Sequence, residues 1–288
     1  MVRPCLVALA PRPRECALTT VATNQLLAAT GEEGGGFHPP SIAEFFPASF
    51  LFEGTPFEMN RIILVRLVAA AVVVVLFVLA ARRAQLVPGR GQNLAEMGLD
   101  FVRVNIAEET LGHNARRFLP MLTTIFFAVL FMNLTGVVPF LNIASTSLIG
   151  MPIVLALWVY VMYIGVGVRK FGVGGYLKNN LLPPGLPKPL YVLVTPIEAL
   201  QVFLFRPATL ALRLTANMIA GHLILVLCFG ATHYFLFEAG GALKIASVFG
   251  LVAGLAFTLF EVLVAALQAY IFTLLSAVYL NMAVEEEH

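Results

Sequence analysis

Charge is scarce in this chain. Asp, Glu, Lys and Arg make up 12% of 288 residues, and mean hydropathy is +0.89, whereas soluble domains keep about a quarter of their residues charged. A water-soluble globule is thereby excluded. The formal net charge of +2 leaves no basic surface of the kind that tracks phosphates, so a nucleic acid partner is not expected. Cysteine is equally sparse. Cys5, Cys16 and Cys228 show no paired metal-ligand spacing, and Cys228 sits in an apolar run as a small hydrophobe. We expect no disulfide, metal or cofactor. No Gly-rich loop ends in Lys at the spacing that cradles nucleotide phosphates, so phosphoryl chemistry is not this chain's own.

What the chain has in abundance is long apolar runs. Residues 1–36 hold Arg3, Arg12 and Arg14, several prolines and a terminal glycine triplet; they argue for no packed core and read as a flexible extension, a targeting segment or an early start. Residues 37–288 form the membrane domain. An apolar stretch over 62–81, interrupted by Arg66, is long enough to cross about 30 Å of hydrocarbon, and Arg66 can snorkel to the surface. After Pro88 and Gly89, the residues Leu94, Met97, Phe101, Val104, Ala107, Leu111 and Ala115 recur at spacings of three and four with Glu96, Asp100 and Arg103 between them. This is the pattern of an amphipathic helix on the membrane surface. Spans at about 118–138 and 148–168 form a hairpin. Apolar stretches at 190–237 and 243–283 exceed what one upright crossing needs, so both helices must tilt or lie flat, and Pro196 and Pro207 invite bends in the first. The fold class is all-α integral membrane: one N-terminal span, a surface amphipathic helix, a transmembrane hairpin, then two long tilted helices in an antiparallel hairpin.

Basic residues accumulate on the cytoplasmic side of membrane proteins. Arg82, Arg83, Arg90, Arg103, Arg116 and Arg117 lie between the first and second spans, and Arg169, Lys170, Lys178 and Lys188 between the third and fourth. Those loops face inside. The N-terminus is then outside and the acidic Glu285 to His288 end inside.

Ionisable groups at bilayer depth cost about 2.5–3.5 kcal/mol each on insertion scales, which makes every one a functional candidate. They are Glu198, Arg206, Arg213, His222, His233 and Glu261, with the amides Asn217 and Gln268. Arg213 stands out because a guanidinium does not shed its proton and so needs a carboxylate or water nearby. Folding the two long stretches about Gly240 and Gly241 sets Arg213 and Asn217 opposite Gln268, with His222 opposite Glu261 nearer the outside. Arg213 and His222 are nine residues apart and point to opposite sides of one helix. His222 and Glu261 at one depth suit proton exchange near neutral pH. Glu198 and Arg206 lie toward the inside, where snorkelling or pairing would account for them, and His233 reads as interfacial. Asn133 in the second span either lines a water path or bonds to a neighbouring helix.

Three blocks, in order, carry a family resemblance: Phe118 to Pro139, with Asn133 inside it; Leu210 to His222, reading LALRLTANMIAGH; and Glu261 to Tyr279. Together they resemble subunit a of F-type ATP synthases, over about residues 37–288. The resemblance implies a non-catalytic stator subunit clasping a ring of c subunits, held by peripheral-stalk b subunits within the rest of the synthase. It implies proton movement past Arg213, with Asn217, His222, Glu261 and Gln268 on the outer water path; apart from the resemblance, Asn133 and Glu198 are further channel-lining candidates. Two departures stand out. The acid and histidine are exchanged between helices relative to some bacterial members, and Gly136 stands where some carry an aspartate. The acidic end resembles bacterial members, so we expect the cell inner (plasma) membrane, with the mitochondrial inner membrane as the alternative. The rival from another class is a secondary transporter with a charged mid-membrane site, which predicts an internal repeat that the two halves do not show. A haem subunit would need histidine partners on a second helix, and His38, His113 and His288 fall outside the spans.

Overall fold

The computed structural model describes residues 60–82, 89–138, 146, 148–181, 190–238 and 244–284. The segment 1–36, the turns at 139–145 and 239–243 and the end 285–288 lie outside the described residues. Every regular element described is helical, and five helices are long and apolar enough to cross a membrane.

The first span, α1 (Arg61–Arg82), has valine and leucine on all sides, as a lipid-facing helix should. It buries a narrow stripe, Ile62, Val65 and Ala69, whose three- and four-residue spacing is one helix face. Phe77 packs edge-on against Phe127 with ring centroids 4.9 Å apart. Arg66 is half-buried, and its Nη2 donates to the Leu148 carbonyl at 3.2 Å, tying α1 to the start of the third span. A free carbonyl ahead of a helix is a nearer partner than water.

The surface helix α2 (Arg90–Val102) runs into a π-helical turn, Arg103–Glu108, then a short helical turn Glu109–Leu111. Gly112 adopts φ 51° and ends the run before α3 (Ala115–Leu134) begins, a conformation that glycine reaches without a Cβ penalty. The amphipathic stripe is not one continuous face. Leu94, Met97, Phe101 and Val104 are exposed, while Ala107, Leu111 and Ala115 are buried with Val102 and Ile106. The π turn, with its i→i+5 bonding, rotates the face between the two halves.

The third span belongs to α4 (Gly150–Leu181), which outlasts the expected end near residue 168 because the chain reverses at Gly172 (φ 72°) and stays helical. Residues 173–181 fold back along the helix they follow. Tyr163 Oη donates to Asn180 Oδ1 at 3.0 Å, and the Tyr176 ring lies on Gly167, where a Cβ would come within 2.5 Å of it.

The first long stretch is continuous but uneven: α5 (Tyr191–Leu200), a π-helical turn Gln201–Phe205, then α6 (Arg206–Phe237). Pro207 has no N–H to donate back into that turn, which accounts for the widened winding there. The second is α7 (Lys244–Val284), one uninterrupted helix. The most extensive helix pair is α6 with α7, and α3 and α4 pack on α7 in turn. Gly221 lies against Glu261, Phe229 against Gly254 and Thr232 against Gly250, a single antiparallel register that agrees with the pairing read from the sequence. Small residues make the approach possible: α7 buries Gly254, Ala265, Ala269, Thr273, Ser276 and Ala277, as membrane helix pairs do where packing, not water exclusion, holds them. The hydroxyls of Thr273 and Ser276 donate to the carbonyls of Ala269 and Phe272 within α7, so they enter the interface without an unmet polar cost.

A polar groove between two long helices

Between α6 and α7 lies a cavity of about 250 Å³. Its polar lining is Asn217, Glu261 and Gln268; Phe257 and Phe260 supply apolar wall, and Gly221 floors it. Glu261 is 4% exposed, and neither of its carboxylate oxygens has a hydrogen-bond partner among the described residues. A buried carboxyl normally meets its needs with donors or water, and the cavity has volume for several waters at about 30 Å³ each. A Cβ on Gly221 would sit 2.8 Å from Glu261 Oε1, so the missing side chain is what lets the carboxyl lie against α6.

His222, the next residue on α6, is buried at 6% exposure. It shares the depth of Glu261 but does not bond to it, since both oxygens of Glu261 are unmet. Arg213 lies on the opposite side of α6 from His222, as the nine-residue spacing requires. It is exposed, on the same helix face as Ala216, Asn217, Ala220 and Ile224. Among the described residues Arg213 makes no hydrogen bond or ion pair, whereas Arg103 pairs with Glu108 at 2.8 Å on the exposed π turn far along the chain.

The remaining candidates stand apart. Asn133 is fully buried on α3, and its Oδ1 accepts from Thr146 Oγ1 at 2.7 Å, so of the two readings the bond to a neighbouring segment is present. Glu198 is half-buried on α5, before the π turn and outside the groove. His233 is exposed and stacks on Phe237 at 4.8 Å. Arg206 meets no carboxylate among the described residues; Nη1 donates to Tyr163 Oη at 3.0 Å, and Cζ lies 5.5 Å from the Tyr279 ring centroid. Its tyrosine partners escape sequence reading because they lie on other helices and carry no charge.

The family model for the ATP synthase A chain matches residues 63–281, which takes in both long helices and the groove between them. This chain belongs to that family. A protein named ATP synthase subunit a from Rhodococcus erythropolis is 47% identical over 279 residues, covering 96% of this chain and 98% of the relative. Proteins of the same name from a Nocardioides species and a Parafrankia species are 37% and 40% identical, over 89% and 86% of this chain. An alignment of 279 residues is longer than the stretch from Phe37 to His288 can supply, so similarity to the Rhodococcus subunit extends into residues 1–36. Members of this family are membrane-sector subunits of a synthase, which accords with five helices long and apolar enough to cross a membrane among the described residues.

Proposed function

We propose that this chain conducts protons through two offset half-channels in the membrane sector of an F-type ATP synthase, coupling their flow to rotation of a ring of c subunits. The observation that carries the reading is Arg213: a permanent cation in the middle of an apolar helix, exposed on the chain's own surface and unpaired among the described residues. Such a charge in lipid is costly, and a carboxylate on an adjoining ring relieves that cost. Ala216 and Ala220 beside it leave room for another helix to approach.

Charge alone then dictates the cycle. A ring carboxyl opposite Arg213 is held ionised by the nearby cation, whereas one facing lipid must be protonated to escape desolvation. Each carboxyl therefore releases its proton before passing Arg213 and reloads after it. The groove with Asn217, Glu261 and Gln268, together with His222 at its depth, serves as the outer path. The inner path opens on the opposite side of Arg213. A membrane potential supplies about 2.3 kcal/mol per charge per 100 mV, so several protons are spent for each ATP, and the chemistry of ATP itself happens on other subunits. The chain is non-catalytic, multi-pass and resident in the bacterial plasma membrane, with its N-terminus outside. Lys170 Nζ donates to the Val284 carbonyl, which joins the basic end of the third span to the end of α7 and supports a cytoplasmic C-terminus. Peripheral-stalk b subunits hold it against the torque.

The test is ATP-driven acidification of vesicles holding the assembled complex, with Arg213→Ala and Glu261→Gln beside wild type. Intact assembly with pumping abolished in the first and cut at least tenfold in the second supports the reading. Wild-type pumping in Arg213→Ala would return the secondary-transporter alternative.

A further inference from the structure

Arg206 opens α6 as the first residue after the π turn Gln201–Phe205. Its guanidinium turns into the protein. Nη1 donates to Tyr163 Oη at 3.0 Å, and that hydroxyl donates to Asn180 Oδ1 at 3.0 Å; Asn180 Nδ2 in turn donates to the Tyr176 carbonyl at 3.0 Å. Cζ lies 5.8 Å from the Tyr163 ring centroid and 5.5 Å from that of Tyr279, within the distance at which an aromatic face holds a cation. One cation thus joins the start of α6 to α4, to the folded-back helix 173–181 and to the last turns of α7. Packing there is close: the space bounded by Tyr160, Tyr163, Arg206 and Tyr279 is about 10 Å³, room for a single water at most.

Arg213 follows seven residues later, which on an α-helix is two turns, about 10.5 Å along the axis and about 20° around it. Arg213 has no tether of its own among the described residues, so its place against a partner is set by the rotation and height of the α6 backbone. The π turn is where that setting would otherwise be loose, because a widened turn breaks the strict phase between the helix before it and the helix after it. The first residue beyond that turn is the one that is clamped.

We propose that Arg206, through Tyr163 and Tyr279, is a positioning residue that fixes the rotation and height of α6 and hence the place of Arg213 against the ring. The inference rests on the proton-conducting reading of Arg213 given above. It predicts that the clamp governs coupling, not merely the amount of complex formed.

The experiment measures protons pumped per ATP hydrolysed, with the amount of assembled complex in the same vesicles, for Arg206→Gln, Arg206→Lys, Tyr163→Phe, the double variant Arg206→Gln/Tyr163→Phe, and Arg213→Ala. Misplacing a reacting group by about 1 Å can cost about a hundredfold, and a bond to a charged group is a sizeable part of its placement. Tyr163→Phe removes one hydroxyl and keeps the ring, so it decides the matter if Arg206→Gln does not assemble. The expected result is a coupling ratio lowered about tenfold in Tyr163→Phe and Arg206→Gln, a double variant no worse than Arg206→Gln, and partial recovery in Arg206→Lys. A residue with a merely structural role would lower the amount of complex and leave the ratio unchanged. A wild-type ratio in both single variants, or losses that multiply in the double, would overturn the inference while Arg213→Ala stays inactive. Wild-type pumping in Arg213→Ala would overturn the underlying reading and this one with it.

Discussion

Glu261 of α7 rests directly on Gly221 of α6: a Cβ at position 221 would come within 2.8 Å of Oε1 and 3.1 Å of Cδ. The glycine is therefore the seat of the acid. In Gly221→Ala the far end of a flexible side chain has to move, not the backbone, so the fold survives with a loss of about 1–3 kcal/mol, while the carboxyl leaves its place beside the cavity. Proton pumping by the assembled complex should fall about tenfold. Adding Glu261→Asp, which withdraws the carboxyl by one methylene, should recover part of that loss. Unchanged pumping in Gly221→Ala would show that the position of the acid is immaterial.

Glu261→Gln tests the titration separately from the shape. Side-chain volume is retained and the amide brings its own donors to a cavity that can hold water, so thermal stability of the complex should not drop. Pumping should fall at least tenfold, because proton relay by a positioned acid or base is worth about two to four orders of magnitude. A variant that pumps like wild type would leave Glu261 as a buried group without a role.

The residues that carry the groove were legible before the fold, because polar and charged side chains in apolar helices are rare enough to be enumerated and an antiparallel hairpin fixes their pairing by number. Asn217, Glu261 and Gln268 do line one cavity, and Arg213 and His222 do face opposite sides of α6. Three things were not legible. The reversal at Gly172 hides in an apolar, glycine-rich run that reads equally well as a helix end. The π turns at Arg103–Glu108 and Gln201–Phe205 leave hydrophobic periodicity almost intact while rotating one helix face relative to the next. The partners of Arg206 are tyrosines on other helices, and aromatic residues in a membrane chain give no sign of which cation they hold.

The reversal at Gly172 has its own test. A Cβ at Gly167 would lie 2.5 Å from two atoms of the Tyr176 ring, which is itself wedged at 3% exposure, whereas a Cβ at Gly165 meets nothing within 4 Å. Gly167→Ala should destabilise by about 1–3 kcal/mol, and Gly172→Ala, at φ 72°, by about 1–2 kcal/mol. Gly165→Ala should be neutral or slightly stabilising. Thermal melting of the detergent-solubilised complex ranks the three, and equal melting of Gly165→Ala and Gly167→Ala would refute the folded-back helix.

Thr146 and Asn133 are both fully buried and bonded at 2.7 Å. Thr146→Val keeps the shape and removes the donor, which should cost about 1–3 kcal/mol of stability. With Asn133 acting as a brace for the turn between the second and third spans, pumping per assembled complex should stay at the wild-type level. A selective loss of pumping without loss of stability would instead place Asn133 on the outer water path.

The central claim is that Arg213 is the barrier between two water paths, and passive proton leak measures it most directly. Vesicles holding the membrane sector are given an imposed potential, with the catalytic subunits stripped away, and proton influx is compared between wild type and Arg213→Ala at equal amounts of assembled sector. The account predicts faster influx in Arg213→Ala than in wild type, uncoupled from rotation, because the cation that forces each ring carboxyl to give up its proton is gone. Influx equal to or below that of wild type, in a sector that still carries its full ring, would contradict it.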